Sequence, residues 1–447
     1  WAQPAVAPES TNVWMTPLVV RLDDDNGDGR VDLADSPDVV FISHAKPADP
    51  TRPDPTPPGV LRALDGRTGE ALWEVVTPAL NASAQLAAAD LDGDGRAEIV
   101  GLRHTGSERS EHRLAAFSAS GDLLWLSQIA PQPEQAGDNS ALSIADLDAD
   151  GSPEIVVGTS VFDARGRLLW QGCAGQGSLG SGFFATVADL DGDGQQEVIA
   201  GSSVYSAQGL RLWTFGAGDG LTAVADLDRD GAPEIVLRAG VDELHLLDSQ
   251  GRLEHALRLP APPPEACAAP VSLADLDGDR GLELIVPAGD ALFALRPSGE
   301  LLWTVPIEDT DGQCGASGAA AFDFDGDGAF EVIHHDALSL RVLSGRDGSL
   351  LLALPRVSST QVETPVIADL DGDGRVEILV TQQSDFEPVP GLLVLGGLYD
   401  DWPGTRGIWN EHGYRAVNVT ESGLVPRAPP APQGFRFNPP RCQRSEP

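Results

Sequence analysis

The stretch ADLDGDGRAEIV, residues 89–100, sets a pattern that runs through the whole chain. It places four acidic side chains, Asp90, Asp92, Asp94 and Glu98, within nine residues and between two short apolar runs. Carboxylates this close together repel one another unless a cation neutralises them. The stretch therefore indicates a turn between two buried strands that is built around a positive ion.

The same pattern recurs along the 447 residues of the chain. Six further copies keep the D-x-D-x-D spacing with a Glu four residues later, and an eighth, variant copy lies near the start. Consecutive copies begin 37 to 66 residues apart. The candidate metal ligands of the eight copies are Asp24, Asn26, Asp28, Asp32 and Asp35; Asp90, Asp92, Asp94 and Glu98; Asp146, Asp148, Asp150 and Glu154; Asp189, Asp191, Asp193 and Glu197; Asp226, Asp228, Asp230 and Glu234; Asp275, Asp277, Asp279 and Glu283; Asp323, Asp325, Asp327 and Glu331; and Asp369, Asp371, Asp373 and Glu377.

The segments around each copy indicate β-strands. An apolar run enters each acidic loop, a β-branched run leaves it, and two further short apolar segments precede the next copy. Short Val- and Ile-rich runs between turn residues favour strands over helices. Four strands in about 40–50 residues are typical of a β-propeller blade, whereas β-helix repeats are much shorter.

We therefore predict an all-β protein, a β-propeller of eight four-stranded blades over residues 12–420. The acidic loops would join strands A and B of each blade. Seven blades is the alternative, if the first and last segments share one blade. Residues 421–447 are Pro-rich and are predicted to form a tail or linker lying over the propeller.

The chemistry of the loops favours calcium. Ca²⁺ takes six to eight oxygens from carboxylates and backbone carbonyls, whereas Mg²⁺ demands a tighter octahedral shell and retains its water. The glycine at the sixth position permits the positive-φ turn that wraps such a loop. We expect several Ca²⁺ ions per chain, up to eight. In the sixth loop Arg280 replaces this glycine and Gly281 follows, so we expect a different turn and a less favoured cation there.

Composition excludes several classes of protein. The formal net charge of −39 argues against a nucleic-acid partner, which needs a basic face. No apolar run reaches the ~18 residues that span a bilayer, so no transmembrane segment is predicted. The sequence starts at Trp1 and not at Met, as expected if an export signal has been removed.

The four cysteines lack the CxxC spacing of zinc sites. Cys267 and Cys314 take nearly equivalent positions before their acidic loops on neighbouring blades, which favours a disulfide between them. Cys173 and Cys442 would then form the second pair, and an exported location would favour both bonds.

The loops, and the stretch TPVIADLDGDGRVEILV in particular, resemble the FG-GAP/VCBS repeats of integrin-α-like calcium-loop propellers. The resemblance covers nearly the whole chain. The opening stretch TPLVVRLDDDNGDGRVDLADSPDVVF and the closing stretch TRGIWNEHGYRAVNVTESGLVP are similar to the two ends of bacterial surface proteins of this type. It implies a bacterial, secreted or cell-surface propeller with calcium-binding loops that serves cell adhesion or ligand binding. Integrin-type loops commonly end in Asp, whereas seven loops here end in Glu, whose longer arm can bind bidentately.

Five segments of the form GxxLW, three of which read GxLLW, are similar to the tryptophan-docking strands of quinoprotein propellers. We expect their indoles to pack between blades rather than against a cofactor. They contain Trp73, Trp125, Trp170, Trp213 and Trp303.

Loop lengths indicate where a partner would bind. Six insertions interrupt the repeat, and the strand order places all of them on the face opposite the acidic loops: 44–59, 103–112 and 382–391 between strands B and C, and 130–138, 260–266 and 308–316 between strand D and the next strand A. Binding often resides in variable loops on a rigid scaffold. We predict that this face, or its central mouth, contacts a protein or polysaccharide ligand, and self-assembly is also open.

Two classes of function remain. The first is a non-enzymatic adhesion, ligand-binding or assembly module; a lectin is a variant in which Trp402 or Trp409 stacks on sugar, although core packing is the preferred expectation. The second is a calcium-dependent carbohydrate-active enzyme such as a polysaccharide lyase. Every acidic cluster fits the repeat, so no separate catalytic cluster is identified and a non-enzyme is predicted. The trio His334, His335 and Asp336 is interpreted as a structural strand end.

Overall fold

The structure is a computed structural model that describes residues 4–46, 57–105, 112–131, 140–178, 182–260, 268–308, 317–355, 363–382, 391–397 and 402–440. Within these ranges it contains β-strands and no helix. The strands of the first four blades are β1 (Ser10–Asn12), β2 (Leu18–Val20), β3 (Asp38–Ala45), β4 (Pro58–Asp65), β5 (Ala71–Asn81), β6 (Ala87–Ala89), β7 (Glu98–Leu102), β8 (Leu114–Phe117), β9 (Leu123–Leu126), β10 (Leu142–Ala145), β11 (Glu154–Val157), β12 (Ser160–Asp163), β13 (Leu168–Gln171), β14 (Thr186–Ala188), β15 (Glu197–Ala200), β16 (Ser203–Tyr205) and β17 (Arg211–Thr214). The strands of the last four blades are β18 (Leu221–Ala225), β19 (Glu234–Arg238), β20 (Glu243–Leu247), β21 (Leu253–Arg258), β22 (Ser272–Ala274), β23 (Glu283–Ala288), β24 (Ala291–Leu295), β25 (Leu301–Pro306), β26 (Ala319–Phe322), β27 (Glu331–His335), β28 (Ser339–Leu343), β29 (Leu350–Pro355), β30 (Val366–Ala368), β31 (Glu377–Thr381) and β32 (Leu392–Gly396).

The strands form eight antiparallel sheets in a ring, each sheet being one blade. The first strand of each blade, strand A, neighbours strand A of the next blade, from β2 and β6 round to β30. Strand β1 extends the first blade beside the end of β3, and the eighth blade has three strands within the described residues. The structure confirms the predicted eight-bladed β-propeller, and the seven-bladed alternative is wrong.

Burial decreases from the centre of the ring to its rim. Inner strands are short and built from small residues, such as the fully buried Ala87–Ala89, because eight of them must converge around one axis. The outer strand D is a sheet edge with one buried face. In Leu168–Gln171, for example, partly buried and exposed side chains alternate.

Tryptophans of strand D join neighbouring blades. The Nε1–H groups of Trp73, Trp170 and Trp303 each donate to a backbone carbonyl in the C–D turn of the next blade, at 2.9, 2.8 and 2.6 Å. The turn carries a glycine where the indole lies: a Cβ at Gly209 would stand 2.6 Å from the ring of Trp170. Packing between blades, predicted for these indoles, is confirmed.

The C-terminal segment 402–440 lies inside the ring, where it contacts strand A, or the residue directly after it, in all eight blades. Backbone hydrogen bonds or bridges join Val19 to Trp409, Ala88 to Asn410, Asp226 to Pro432, Leu273 to Phe435 and Ala321 to Phe437. Side chains complete the set: Glu411 accepts from the Ile144 N–H, Arg415 donates to the Val187 carbonyl, and Asn438 donates to the Ile367 carbonyl. The segment includes residues 421–440 of the predicted tail; the division of domains at residue 420 stays a prediction.

Candidate metal centres

Each acidic loop joins strands A and B, and its closing acid is the first residue of strand B. Glu98 shows the arrangement: its Oε2 accepts the Leu91 N–H at 2.8 Å, which ties the start of strand B to the second residue of the loop. The same bond, at 2.7–2.9 Å, recurs in the six other loops that end in Glu. One carboxylate oxygen of each Glu therefore holds the hairpin together.

The first acid of the loop organises the turn. Asp90 Oδ1 accepts the N–H groups of Gly93 and Asp94, and its Oδ2 accepts the N–H of Gly95 at 2.9 Å. Both glycines have positive φ, +79° and +90°, which L side chains rarely adopt. The backbone thus curls around the carboxylate and brings Asp92 and Asp94 back towards it.

The predicted ligands converge as a result. Among the described residues, seven clusters bring ligand atoms of at least three Asp, Glu, His or Cys side chains within 4.8 Å of one another. Five of these clusters are formed by Asp90, Asp92 and Asp94; Asp146, Asp148 and Glu154; Asp189, Asp191 and Glu197; Asp226, Asp228 and Asp230; and Asp275, Asp277 and Asp279. At that separation two carboxylates repel by roughly 3 kcal/mol at an effective dielectric constant of about 20.

Burial makes the repulsion harder to relieve. Removal from water, together with the smaller effects of the neighbouring Asp92 and Asp94, raises the pKa of Glu98 to about 7, although the hydrogen bond from the Leu91 N–H lowers it. The closing acids Glu154 and Glu377 are raised to about 8 for the same reasons. Without a cation these loops hold carboxyl groups that favour the protonated form near neutral pH.

The first loop has a different architecture. Asp24 accepts the N–H groups of Gly27, Asp28 and Gly29, so it takes the role that Asp90 has in the second loop. Asp35 is buried, and its two oxygens accept the N–H groups of Asn26 and Asp32. Asp24, Asn26, Asp28, Asp32 and Asp35 therefore belong to one wrapped loop with acids at positions one, five, nine and twelve, which is the spacing of an EF-hand calcium loop.

Two residues of the first blade escaped the sequence prediction. Asp38, the first residue of β3, accepts the Leu22 N–H at 2.8 Å and so corresponds to Glu98, and burial raises its pKa to about 8. Arg21 directly follows strand A, where the other blades have their first Asp, and it donates to the Asp35 carbonyl. Aligning DVVF at 38–41 with the strand starts that follow Glu in other blades would have identified Asp38.

The expectation of a different turn in the sixth loop is wrong. Arg280 has a φ of +72°, and its N–H donates to Asp275 Oδ2 at 2.8 Å, as Gly95 does to Asp90 in the second loop. The turn keeps its shape because two hydrogen bonds to Asp275 hold the backbone, including one from Gly278. What differs in this loop is the guanidinium group of Arg296, which contacts three of its acidic side chains.

Other candidates from the sequence have structural roles within the described residues. Asp336 accepts the N–H groups of Leu338 and Ser339 and pairs with Arg341 at 3.0 Å, while burial lowers the pKa of His334 to about 4. Trp409 is fully buried, so core packing and not sugar stacking is confirmed for it.

Several predictions fall outside the described residues. Cys173 is exposed, but Cys267, Cys314 and Cys442 lie outside, so both disulfide pairings stay predictions. Most of each of the six insertions also lies outside. The strands flanking each insertion match the assignment: three insertions follow strand B and three precede strand A.

The ligand atoms that the acidic loops offer are of the kind that calcium prefers. Clustered carboxylate oxygens are what a hard cation requires, and in the third and fifth loops Asp146 Oδ1 and Asp226 Oδ1 are buried without a hydrogen-bond donor among the described residues. A buried charged oxygen without a partner is costly, and a bound cation would satisfy it.

Comparison with known proteins identifies the fold. No protein-family model and no curated protein matches this chain. Among solved structures, the V. cholerae biofilm matrix protein Bap1 is similar over 99% of this chain and 98% of its own, with a TM-score of 0.82 and 20% sequence identity. The rhamnogalacturonan lyases YesX and YesW are similar over 88% and 86% of this chain and 75% and 71% of their own, with TM-scores of 0.59 and 0.57 and identities of 21% and 19%. These likenesses define the class of protein as a β-propeller.

The described residues contain no helix of the length and apolar character that would cross a bilayer.

Proposed function

We propose that this chain is a calcium-stabilised, extracellular β-propeller that acts as a non-enzymatic adhesion, ligand-binding or assembly module on the cell surface. The observation that carries the proposal is the repetition of one acidic hairpin around the ring, each copy with a closing acid that is removed from water. Repetition at equivalent positions favours a structural role for the sites, because a catalytic site needs distinct groups at one place.

Calcium would bind at the acidic loops through the side-chain oxygens of the predicted ligands. Its charge would offset the repulsion between the carboxylates and would hold strands A and B together. The FG-GAP/VCBS resemblance of these loops supports the same assignment.

One general argument and one observation support an extracellular role. Cytosolic free calcium is kept too low to fill weak sites, whereas extracellular modules bind calcium at about 10⁻⁴–10⁻³ M. A biofilm matrix protein shares the fold over almost the full length of both chains. The ligand or partner would be a protein or polysaccharide, bound on the face opposite the acidic loops, where the insertions interrupt the repeat.

Thermal unfolding with and without a chelator tests the calcium proposal. Purified protein should contain several calcium ions per chain by elemental analysis, and chelation should lower its melting temperature by well over 10 °C, since several sites are lost together. Magnesium added after chelation should restore much less of the stability. Fewer than two ions per chain with no effect of the chelator would overturn the proposal.

A polysaccharide lyase is the second candidate, because two rhamnogalacturonan lyases share the propeller fold. Incubation with acidic polysaccharides in calcium, followed by ultraviolet absorbance for unsaturated products, separates the two functions. We expect no product. Binding to the same polysaccharides without cleavage would support the ligand-binding function.

A further inference from the structure

Arg296 lies among the carboxylates of the sixth loop. It follows β24 in the C–D turn, and its Nη2 is 2.5 Å from Asp277 Oδ2, while its Nη1 is 3.2 Å from Asp279 Oδ2. The same Nη1 is 3.9 Å from Oε1 of the buried Glu283. One guanidinium thus contacts the third, fifth and ninth positions of the loop.

The strand register shows that the position is equivalent in every blade. Leu295 pairs with Leu284, the second residue of strand B, so residue 296 stands opposite Glu283. In the third blade the direct pair is Asp163 with Glu154. The other blades carry short acidic, hydroxyl or glycine residues at this position: Asp65, Ser118, Asp163, Ser206, Asp248, Ser344 and Gly396.

Asp277 and Asp279 each use one carboxylate oxygen to accept a backbone N–H, and Arg296 contacts the other oxygen. In the second loop, N–H groups take Asp92 Oδ1 and Asp94 Oδ1, so each side chain keeps its Oδ2 for another partner. In the sixth loop, N–H groups likewise take Asp277 Oδ1 and Asp279 Oδ1, and Arg296 takes both Oδ2 atoms. Its planar fork suits two carboxylates at once.

Further positive charge surrounds this loop. Arg346, from the C–D turn of the seventh blade, donates to the Asp277 carbonyl. Arg229 and Arg280 line a cleft of about 400 Å³ between the fifth and sixth loops, together with Asp226 and Asp275. A divalent cation at the sixth loop would have to displace one guanidinium and approach the others.

We propose that Arg296 replaces the calcium ion of the sixth loop, so that this blade carries its cation as a side chain and needs no metal. The inference rests on the proposed function, because it concerns which of the loops bind calcium. The full chain then binds at most seven calcium ions, and the sixth blade keeps its hairpin when calcium is withdrawn.

The number of calcium ions bound per chain tests this inference, because removal of the Arg296 side chain should create one additional calcium site. The full chain is stripped with chelator and titrated with calcium by equilibrium dialysis, as wild type, as Arg296→Ser and as Arg252→Ser. Serine is the residue of three other blades at the position equivalent to 296. Arg252 is an exposed arginine of the fifth blade's C–D turn that pairs with Asp248 at 3.8 Å. Arg296→Ser should bind one calcium ion more than wild type, and Arg252→Ser the same number. An unchanged or lower number for a folded Arg296→Ser would overturn the inference.

A measurement on the wild-type chain does not depend on the variant folding. Crystals soaked in terbium, read by anomalous scattering, should show ions in other acidic loops and none between Asp277 and Asp279. An ion there would overturn the inference. If no loop binds an ion, the proposed function fails. The inference about Arg296 is then tested by melting temperatures in chelator, where Arg296→Ser should cause a larger decrease than Arg252→Ser. Equal decreases for the two variants would overturn the inference as well.

Discussion

Val19 and Trp409 exchange two backbone hydrogen bonds: Val19 N–H donates to the Trp409 carbonyl at 2.9 Å, and Trp409 N–H donates to the Val19 carbonyl at 2.8 Å. Val19 lies in the inner strand of the first blade, whereas Trp409 follows the last blade in sequence. The pair shows that the two ends of the ring are linked through the centre. A segment that contacts all eight inner strands stabilises every blade interface together.

Asn438 is a good test of the central segment. Its Nδ2 donates to the carbonyls of Ile367 and Ile408 at 3.0 and 3.3 Å, and its Oδ1 accepts from the Tyr414 hydroxyl at 3.1 Å. Asn438→Ala should lower the free energy of unfolding by about 2–4 kcal/mol, because several buried polar groups lose their partner. Denaturant unfolding in calcium measures this. Gln433→Ala, which removes one weak bond at 3.4 Å, is the control and should have an effect of less than about 1 kcal/mol. A loss of less than about 1 kcal/mol for Asn438→Ala would mean that its contacts in the central segment add little stability.

Two substitutions of Glu98 distinguish its hydrogen bond to the Leu91 N–H from its role in cation binding. In Glu98→Gln the amide oxygen can still accept the Leu91 N–H, but the charge is gone. We expect the melting temperature in chelator at pH 8 to equal or exceed that of wild type, and the stabilisation by calcium to be smaller. Glu98→Ala should lose both, with about 1–3 kcal/mol from the unpaired N–H. A glutamine variant that responds fully to calcium would exclude Glu98 as a ligand.

The pH dependence of the metal-free protein follows from the closing acids. Their pKa values in the folded state, about 7 for Glu98 and about 8 for Glu154, exceed the ordinary value of 4.5, so protonation favours folding. This stability is complete at low pH and is lost as pH rises through 7–8. The melting temperature in chelator should therefore fall between pH 6.5 and pH 8.5. Burial lowers the pKa of His44 and His334 from the ordinary 6.5 to about 4, so their opposite contribution, which raises stability with pH, falls mostly below this window.

Calcium should reverse that trend. Because a cation prefers ionised carboxylates, the stabilisation by calcium should increase over the same pH range. Melting curves at both pH values, with calcium and with chelator, measure the two effects. A metal-free melting temperature that rises with pH would contradict the raised pKa values.

Gly209 tests the docking of Trp170 between blades. Gly209 has a φ of +82°, and an added Cβ would lie 2.6 Å from the indole. Gly209→Ala should lower the free energy of unfolding by about 2–4 kcal/mol.

Gly192, in the same blade, provides the control. It also has a positive φ, of +77°, but open space around it, and Ala149 adopts a φ of +60° at the equivalent position of the third loop. Gly192→Ala, compared in chelator, should cost about 1 kcal/mol or less. A similar loss for both variants would mean that backbone conformation and not the indole contact is responsible.

Features that recur in every blade could be predicted from the sequence, whereas features that occur once in the chain were missed. The loop from Asp90 to Glu98 could be identified because hydrophobic runs and acids recur in register, and the local hydrogen bonds of such a loop involve only near neighbours. The strand order, the eight blades and the docking of Trp170 follow from the same repetition.

Contacts between distant residues left no comparable signal. Arg296 stands 13 residues after Glu283 in sequence, and only the pairing of β23 with β24 brings the two together. Asp38 was missed because the first loop is longer than the others, which shifts its closing acid. The central segment was missed because Trp409, Glu411 and Asn438 belong to no repeat.

The inward path of residues 402–440 has a consequence for the order of events during synthesis. A blade needs only its own strands and a neighbour to form, so blades can assemble while the ribosome is still adding residues. Asn438 and Phe437, which complete the contacts to the eighth and seventh blades, emerge after every strand of the ring has been made. A nascent chain that has not yet reached Asn438 therefore carries an open arc of blades, and the ring is completed only after its last strand has been made.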